Sequence, residues 1–215
     1  MYSTKAINII TITIFNLVPI IGVAFYSWSP FQAFWLFWME TLIISFFNAI
    51  RIMFSQQRTA FVKGQAVGIE LNIASAIRYL LVRIAIFFFY SIFIVAFIGF
   101  VAHQEKDPVQ VVQTLAFQNH LFNLALLLIF CTNTFYLIKY FFFNNAYLYA
   151  NKKQYSAFFD GRQIVMHIAV VVGAVGAVFL FKGSASQYAS VWIIAILCVI
   201  KSVFELLFLN KEHKA

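Results

Sequence analysis

Six apolar runs divide the chain, at 6–26, 31–54, 77–101, 117–140, 163–181 and 188–209. Each is close to the roughly 20 residues that an α-helix needs to cross the hydrocarbon core of a bilayer. No water reaches the backbone there, so a spanning segment must satisfy its own N–H and C=O groups, as a helix does. The expected fold is therefore all-α: a polytopic membrane helix bundle of six transmembrane helices, with residues 1–215 forming a single integral membrane domain. Composition agrees, with 63% hydrophobic and 10% charged residues, against about 45–50% and about 25% in soluble domains. It excludes a soluble enzyme, a disordered chain and a disulfide-stapled secreted domain. The first run follows Lys5 and has no small-residue cleavage site after it, so it reads as a retained span rather than a removed signal peptide.

The formal charge of +8 would point to nucleic acid in a soluble protein. Here the positions of the charges give it another meaning. With the N-terminus in the cytoplasm, the inner segments hold Lys5, Arg51, Arg58, Lys63, Arg78, Arg83, Lys139, Lys152, Lys153, Arg162, Lys211 and Lys214, and the outer loops hold Lys106 and Lys182. Such asymmetry follows the positive-inside rule and puts both termini in the cytoplasm. No nucleic-acid partner is expected.

The links carry their own signals. Ser27-Trp28-Ser29-Pro30 is short enough to force an antiparallel hairpin, and Pro30 suits the first turn of the second helix. Asp107-Pro108 reads as an N-cap followed by Pro at the first helical position. Val109, Val112 and Ala116 then repeat at helical spacing, which predicts a short helix along the outer membrane surface. Residues 141–160 mix Phe141, Phe142, Phe143, Tyr147, Tyr149 and Tyr155 with Lys152 and Lys153, a combination that prefers the headgroup layer.

Ionisable groups inside hydrocarbon cost about 2.5–3.5 kcal/mol on insertion scales, so each asks for a reason. In the second span Asn48 and Arg51 lie about 80° and about 20° around the helix from Glu40, on a shared face. The sixth span carries Lys201 and, one turn on, Glu205. Depth counting puts Glu40 and Lys201 near the midplane, where a pair is expected. Glu205, Arg83 and His167 fall in the inner third and predict a second polar layer. Arg51, Arg78 and Arg162 stand near span ends, where long side chains reach lipid headgroups. In the fifth span Ala169, Gly173 and Ala177 form a small-residue stripe that lets another backbone approach, in this chain or in a partner.

Catalytic patterns are sparse. There is no HExxH, no paired His motif and no phosphate-binding Gly loop, and no metal or cofactor is expected. His120-Leu-Phe-Asn123 is similar to the His and Asn of rhomboid proteases, but its spacing is three and no Gly-x-Ser-Gly nucleophile occurs. Cys131 and Cys198 sit inside apolar runs and are expected to be buried free thiols.

Asn16-x-x-Pro19-x-x-Gly22, then Trp28-Ser29, then Trp38-Met39-Glu40-Thr41 with Asn48 downstream, resembles a family of small prokaryotic multi-pass membrane proteins of unknown function. That family carries an N-x-x-P-x-x-G stretch, a tryptophan-serine turn and a W-x-E-N signature. Arg162-x-x-x-x-His167 and the ending Lys201, Glu205, Glu212-His213 resemble it too. Thr41 replaces the usual Asn, and Glu205 the usual Asp. The resemblance implies a bacterial inner-membrane location and puts Glu40, His167 and Glu205 among the site residues.

Three function classes stay open. The leading one is a non-catalytic accessory or scaffold subunit of a membrane complex, with protein partners meeting the aromatic lipid-facing surface or the small-residue stripe. The second is a small proton-coupled transporter or channel using Glu40 and Lys201. The third is an intramembrane enzyme acting on a lipid.

Overall fold

Ser29 and Pro30 set the start of the central helix. In the computed structural model, which describes residues 2–57, 70–95, 108–157 and 194–203, helix α1 covers Tyr2–Phe25 and α2 covers Pro30–Phe54. Pro30 takes the first helical position as expected, where its missing N–H costs nothing. Ser29 and Gln32 form a capping box: the Ser29 amide donates to Gln32 Oε1 at 3.1 Å, and the Gln32 amide donates to Ser29 Oγ at 3.3 Å. Both side chains are buried.

The turn before this cap is built on Gly22. Its carbonyl accepts from the amides of Tyr26, at 3.1 Å, and Trp28, at 3.0 Å. Ser27 between them takes a left-handed φ of 53°. The Trp28 ring lies so close over Gly22 that a Cβ there would overlap it. The indole also meets Phe122, with ring centres 6.0 Å apart.

Helix α3 runs Ile73–Ile94 and the short α4 runs Pro108–Leu115. α3 starts earlier than the apolar run at 77, because the Asn72 carbonyl accepts the Ala76 amide at 3.1 Å and opens the helix. α4 is the predicted loop helix. Val111 and Thr114 are buried, and Val112 and Ala116 of the expected repeat are exposed. α4 ends in a Schellman arrangement: Phe117, at φ 55°, donates to the Thr114 carbonyl and Gln118 to that of Gln113.

That break moves the next span's start. α5 covers His120–Tyr136 rather than beginning at 117, with the Asn119 side chain capping it by accepting the Phe122 amide at 3.0 Å. It then continues as a π-helical segment over Leu137–Phe143. Just before the widening, Asn133 and Thr134 turn their side chains back onto the carbonyls of Ile129 and Phe130, each at 2.9 Å. Such side-chain bonds compete with the helical ladder and bend it. Two single-turn helices follow, α6 over Ala146–Tyr149 and α7 over Lys152–Tyr155, and the described chain closes with α8 over Ile194–Val203.

Three helical stretches are long and apolar enough to cross a membrane: Phe31–Phe54, Ile73–Ile92 and Val111–Phe143, the last spanning the turn between α4 and α5. Six spans are thus not all on view. The first run is helical, with Ile12–Phe25 as its described apolar part. The fifth run, including the Ala169/Gly173/Ala177 stripe, lies outside the described residues, and the sixth is described only over 194–203.

The chain divides into two compact units. One comprises Met1–Met39, Tyr90–Leu126 and Phe159–Ala215, the other Glu40–Phe89 and Leu127–Phe158. In the second unit, Phe47 of α2 packs with Leu137 and Phe141 of the π segment and with Ala150. Ala49 and Ile52 pack with Ala76 and Tyr79 of α3. α3 turns its other side, Ile77, Leu81, Phe88, Phe89 and Ile92, outward. An apolar side chain on a spanning helix needs no protein cover, since lipid tails are as apolar as Leu. Cys131 corrects its expectation for this reason: it lies exposed on α5, while Cys198 is buried as expected.

The Gly22–Trp28 contact yields a prediction. Gly22→Ala forces the indole off its seat and lowers stability by about 1–3 kcal/mol, the usual range for overpacking. Thermal unfolding of the detergent-solubilised chain measures it, and an unchanged midpoint would refute the tight fit.

Candidate functional site

Asn16 and Lys201 stand 185 residues apart and meet in the buried interior of the first unit. Lys201 Nζ donates to Asn16 Oδ1 at 3.0 Å, and both residues are over nine-tenths buried. Asn16 is held in place by its own helix, its Nδ2 donating to the Ile12 carbonyl at 3.0 Å. The ammonium also lies 5.1 Å from the centre of the Phe37 ring, whose face attracts a cation. α1, α2 and α8 each supply one member of this group. Pro19 follows Asn16 within α1 and leaves one helical carbonyl without its usual amide donor.

One residue beyond Phe37, the Trp38 indole donates to Ser91 Oγ of α3 at 3.0 Å, and its ring tilts against Tyr90 at 5.3 Å. Trp38 is fully buried. The tryptophan of the Trp38-Met39-Glu40-Thr41 pattern thus ties the start of the second span to the end of the third.

A second polar group sits where α2 ends, wholly within the second unit. Arg51 donates to Asn48 Oδ1 at 2.9 Å, and its guanidinium lies 5.8 Å from the centre of the Tyr155 ring. The shared helical face predicted for Asn48 and Arg51 brings them into contact. Beyond α2 the chain is clasped from two sides. The Gln56 amide donates to the Tyr147 carbonyl at 2.9 Å, and the Gln57 amide to that of Ala150 at 3.1 Å. The Gln56 side chain pairs with both backbone groups of Glu70, at 2.8 and 3.0 Å. Asn72 donates to the Ser55 carbonyl and accepts from Lys152 Nζ, each at 2.8 Å. The predicted headgroup-level segment after the fourth span is thereby bound to the end of the second.

The remaining predicted residues divide by location. Arg83 is buried in α3, its Nε donating to Tyr79 Oη at 3.0 Å and its guanidinium over the same ring at 5.5 Å. Arg78 is exposed on α3. Glu40 is half-buried in α2 and engaged. It opens the second unit, whereas Lys201 belongs to the first, and their pairing stays an expectation. His167, Glu205 and Arg162 lie outside the described residues, and with them two members of the expected inner layer. Among the described residues no three His, Cys, Asp or Glu side chains gather as metal ligands would.

Asn16, Phe37, Ser91 and Tyr79 were not singled out by charge counting, because none is charged. An amide in mid-span, like Asn16, is the one available signal: in hydrocarbon it needs a partner as surely as a charge does.

Three helices long and apolar enough to cross a bilayer mark this as an α-helical membrane protein. The chain belongs to a family of unknown function, DUF6498, whose profile covers residues 3–215. No curated protein matches the chain, and no solved structure does.

The Asn16–Lys201 contact is testable by a double-mutant cycle. Asn16→Leu leaves a buried ammonium short of an acceptor and costs about 1–3 kcal/mol. Adding Lys201→Met to the same chain recovers most of that loss, since a buried pair replaced by apolar groups is often neutral. Unfolding of both single variants and the double in one detergent decides it; a double-variant loss equal to the sum of the two single losses would remove the coupling.

Proposed function

We propose that this protein is a non-catalytic accessory or scaffold subunit of a complex in the bacterial inner membrane, threaded six times with both termini in the cytoplasm. One observation carries the reading: many polar side chains of the described spans are spent on the chain itself. Lys201 is bound to Asn16, Arg51 to Asn48, Arg83 to Tyr79 and Trp38 to Ser91. Ser45 and Ser55 return their hydroxyls to the carbonyls of Thr41 and Arg51, both at 2.7 Å. Two of these contacts, Lys201–Asn16 and Trp38–Ser91, tie helices together, and the others close within one helix or at its end. Outward, the helices offer broad apolar and aromatic faces, such as Phe88, Phe89 and Ile92 on α3. Helices with large side chains at lipid level suit a partner helix packed side by side.

Cross-linking in native membranes, followed by purification and identification of attached proteins, tests the reading. A partner in fixed proportion is expected, and it should be lost on replacing Phe88, Phe89 and Ile92 together by Ala while the chain still purifies. Recovery of the chain alone from cross-linked membranes would sink the proposal.

A second reading, a proton-coupled transporter or channel, draws on Lys201. An ionisable residue buried in a span is a functional group by default. Under this reading Lys201→Met abolishes proton-linked flux in vesicles at normal expression, and flux equal to the parent chain's would end it.

A further inference from the structure

α5 and the π segment that continues it carry a feature used by neither reading. Phe130, Cys131, Phe135, Ile138, Lys139 and Phe143 line an open groove of about 670 Å³. These positions recur at helical spacings of three and four, so the groove follows one side of the span. All belong to the second unit. Thr134 also lines it, but its hydroxyl is bound to the Phe130 carbonyl at 2.9 Å. The trough is therefore apolar apart from the lysine, and its volume lies within the roughly 300–1,000 Å³ of small-ligand sites.

Lys139 is poised. Its ammonium stands 5.0 Å from the centre of the Phe135 ring and 5.5 Å from that of Tyr140. Tyr140 in turn stacks on Tyr136, with centres 5.5 Å apart. Ring faces hold a cation without satisfying its N–H groups. An ammonium has three donors, and among the described residues Lys139 meets no hydrogen-bond acceptor and no carboxylate. It stands four residues before the end of the segment, about 6 Å along a helix, within reach of a headgroup layer by extension of its stem.

We propose that this groove binds an anionic two-chain phospholipid. One acyl chain lies on Phe130, Cys131, Phe135 and Ile138, and the phosphate accepts hydrogen bonds from Lys139 Nζ. An apolar trough with a cation that meets no acceptor among the described residues is the complement of an acyl chain ending in an anion. A zwitterionic headgroup brings its own ammonium, which competes with Lys139 for the phosphate, so the groove selects for net negative charge. The two rings fix the ammonium beforehand, which lowers the ordering cost of binding.

Cys131 lies exposed in the groove and Cys198 is buried, so a neutral maleimide reads occupancy directly. The full chain is placed in nanodiscs of phosphatidylcholine, with or without phosphatidylglycerol, and Cys131 labelling rates are compared. Phosphatidylglycerol should slow labelling about fivefold, the factor that one lysine near an anionic surface contributes. Lys139→Gln should erase the difference and Lys139→Arg should keep it. Native mass spectrometry should show one retained phosphatidylglycerol, lost in Lys139→Gln and also in Thr134→Trp, which fills the trough while leaving the cation. Equal labelling in the two bilayers, or a phosphatidylglycerol effect that survives Lys139→Gln, would overturn the proposal. Protection by inorganic phosphate in phosphatidylcholine discs would overturn it as well, by assigning the site to the free ion.

Discussion

Hydrocarbon offers no water to take up an unmade hydrogen bond, and the internal arrangement of this protein follows from that one shortage. A side chain that would be solvated in a soluble domain must here close on its own helix or on a neighbour. Thr13, Asn16, Ser45, Ser55, Asn133 and Thr134 return to carbonyls four residues back. Longer groups reach across: Lys201 to Asn16, Trp38 to Ser91, Lys152 to Asn72. Polar contacts between membrane helices average about 0.6 kcal/mol. Their weight lies less in stabilisation than in register, since a helix rotated by one residue leaves each of them broken.

The same constraint explains what could be read from residues alone. Runs of apolar length made the spans evident, and Pro30 made the start of α2 evident. Ser29-x-x-Gln32 is an equally local signal, and it also accounts for the buried Gln32 inside an aromatic run. Other features depend on geometry that no spacing states. The π segment arises where Asn133 and Thr134 disturb the ladder ahead of Leu137. The late start of α5 follows from the left-handed Phe117. Charge counting found Lys201 and Arg83 but not their neutral partners, because in this environment a neutral amide or phenol is as exacting as a charge. Its apolar run placed Cys131 in the interior, but an apolar run cannot tell a side chain facing lipid from one facing protein.

The short motifs acquire physical meaning from their contacts. Asn16-x-x-Pro19-x-x-Gly22 places a hydrogen-bonding amide and a bare backbone patch on one helix, for Lys201 and Trp28 respectively. Trp28-Ser29 joins the residue that covers Gly22 to the residue that caps α2. Trp38 anchors α2 to α3 through Ser91. Most of the pattern therefore describes how the first two helices are fastened to the rest of the first unit, and a shared pattern of this kind marks shared architecture before shared chemistry.

The distance along the chain between Asn16 and Lys201 bears on how the protein is made. At about 5–20 residues per second, the 185 residues separating them take on the order of 10–40 s to synthesise. The α1–α2 hairpin, with its four-residue link and local cap, can leave the insertion machinery as a finished pair early in that interval. The lysine arrives 185 residues later, and its docking joins α1 to α8. A nascent chain halted before residue 201 cannot make this closure. The buried ammonium thus serves as a clasp that only a chain extended as far as residue 201 can fasten.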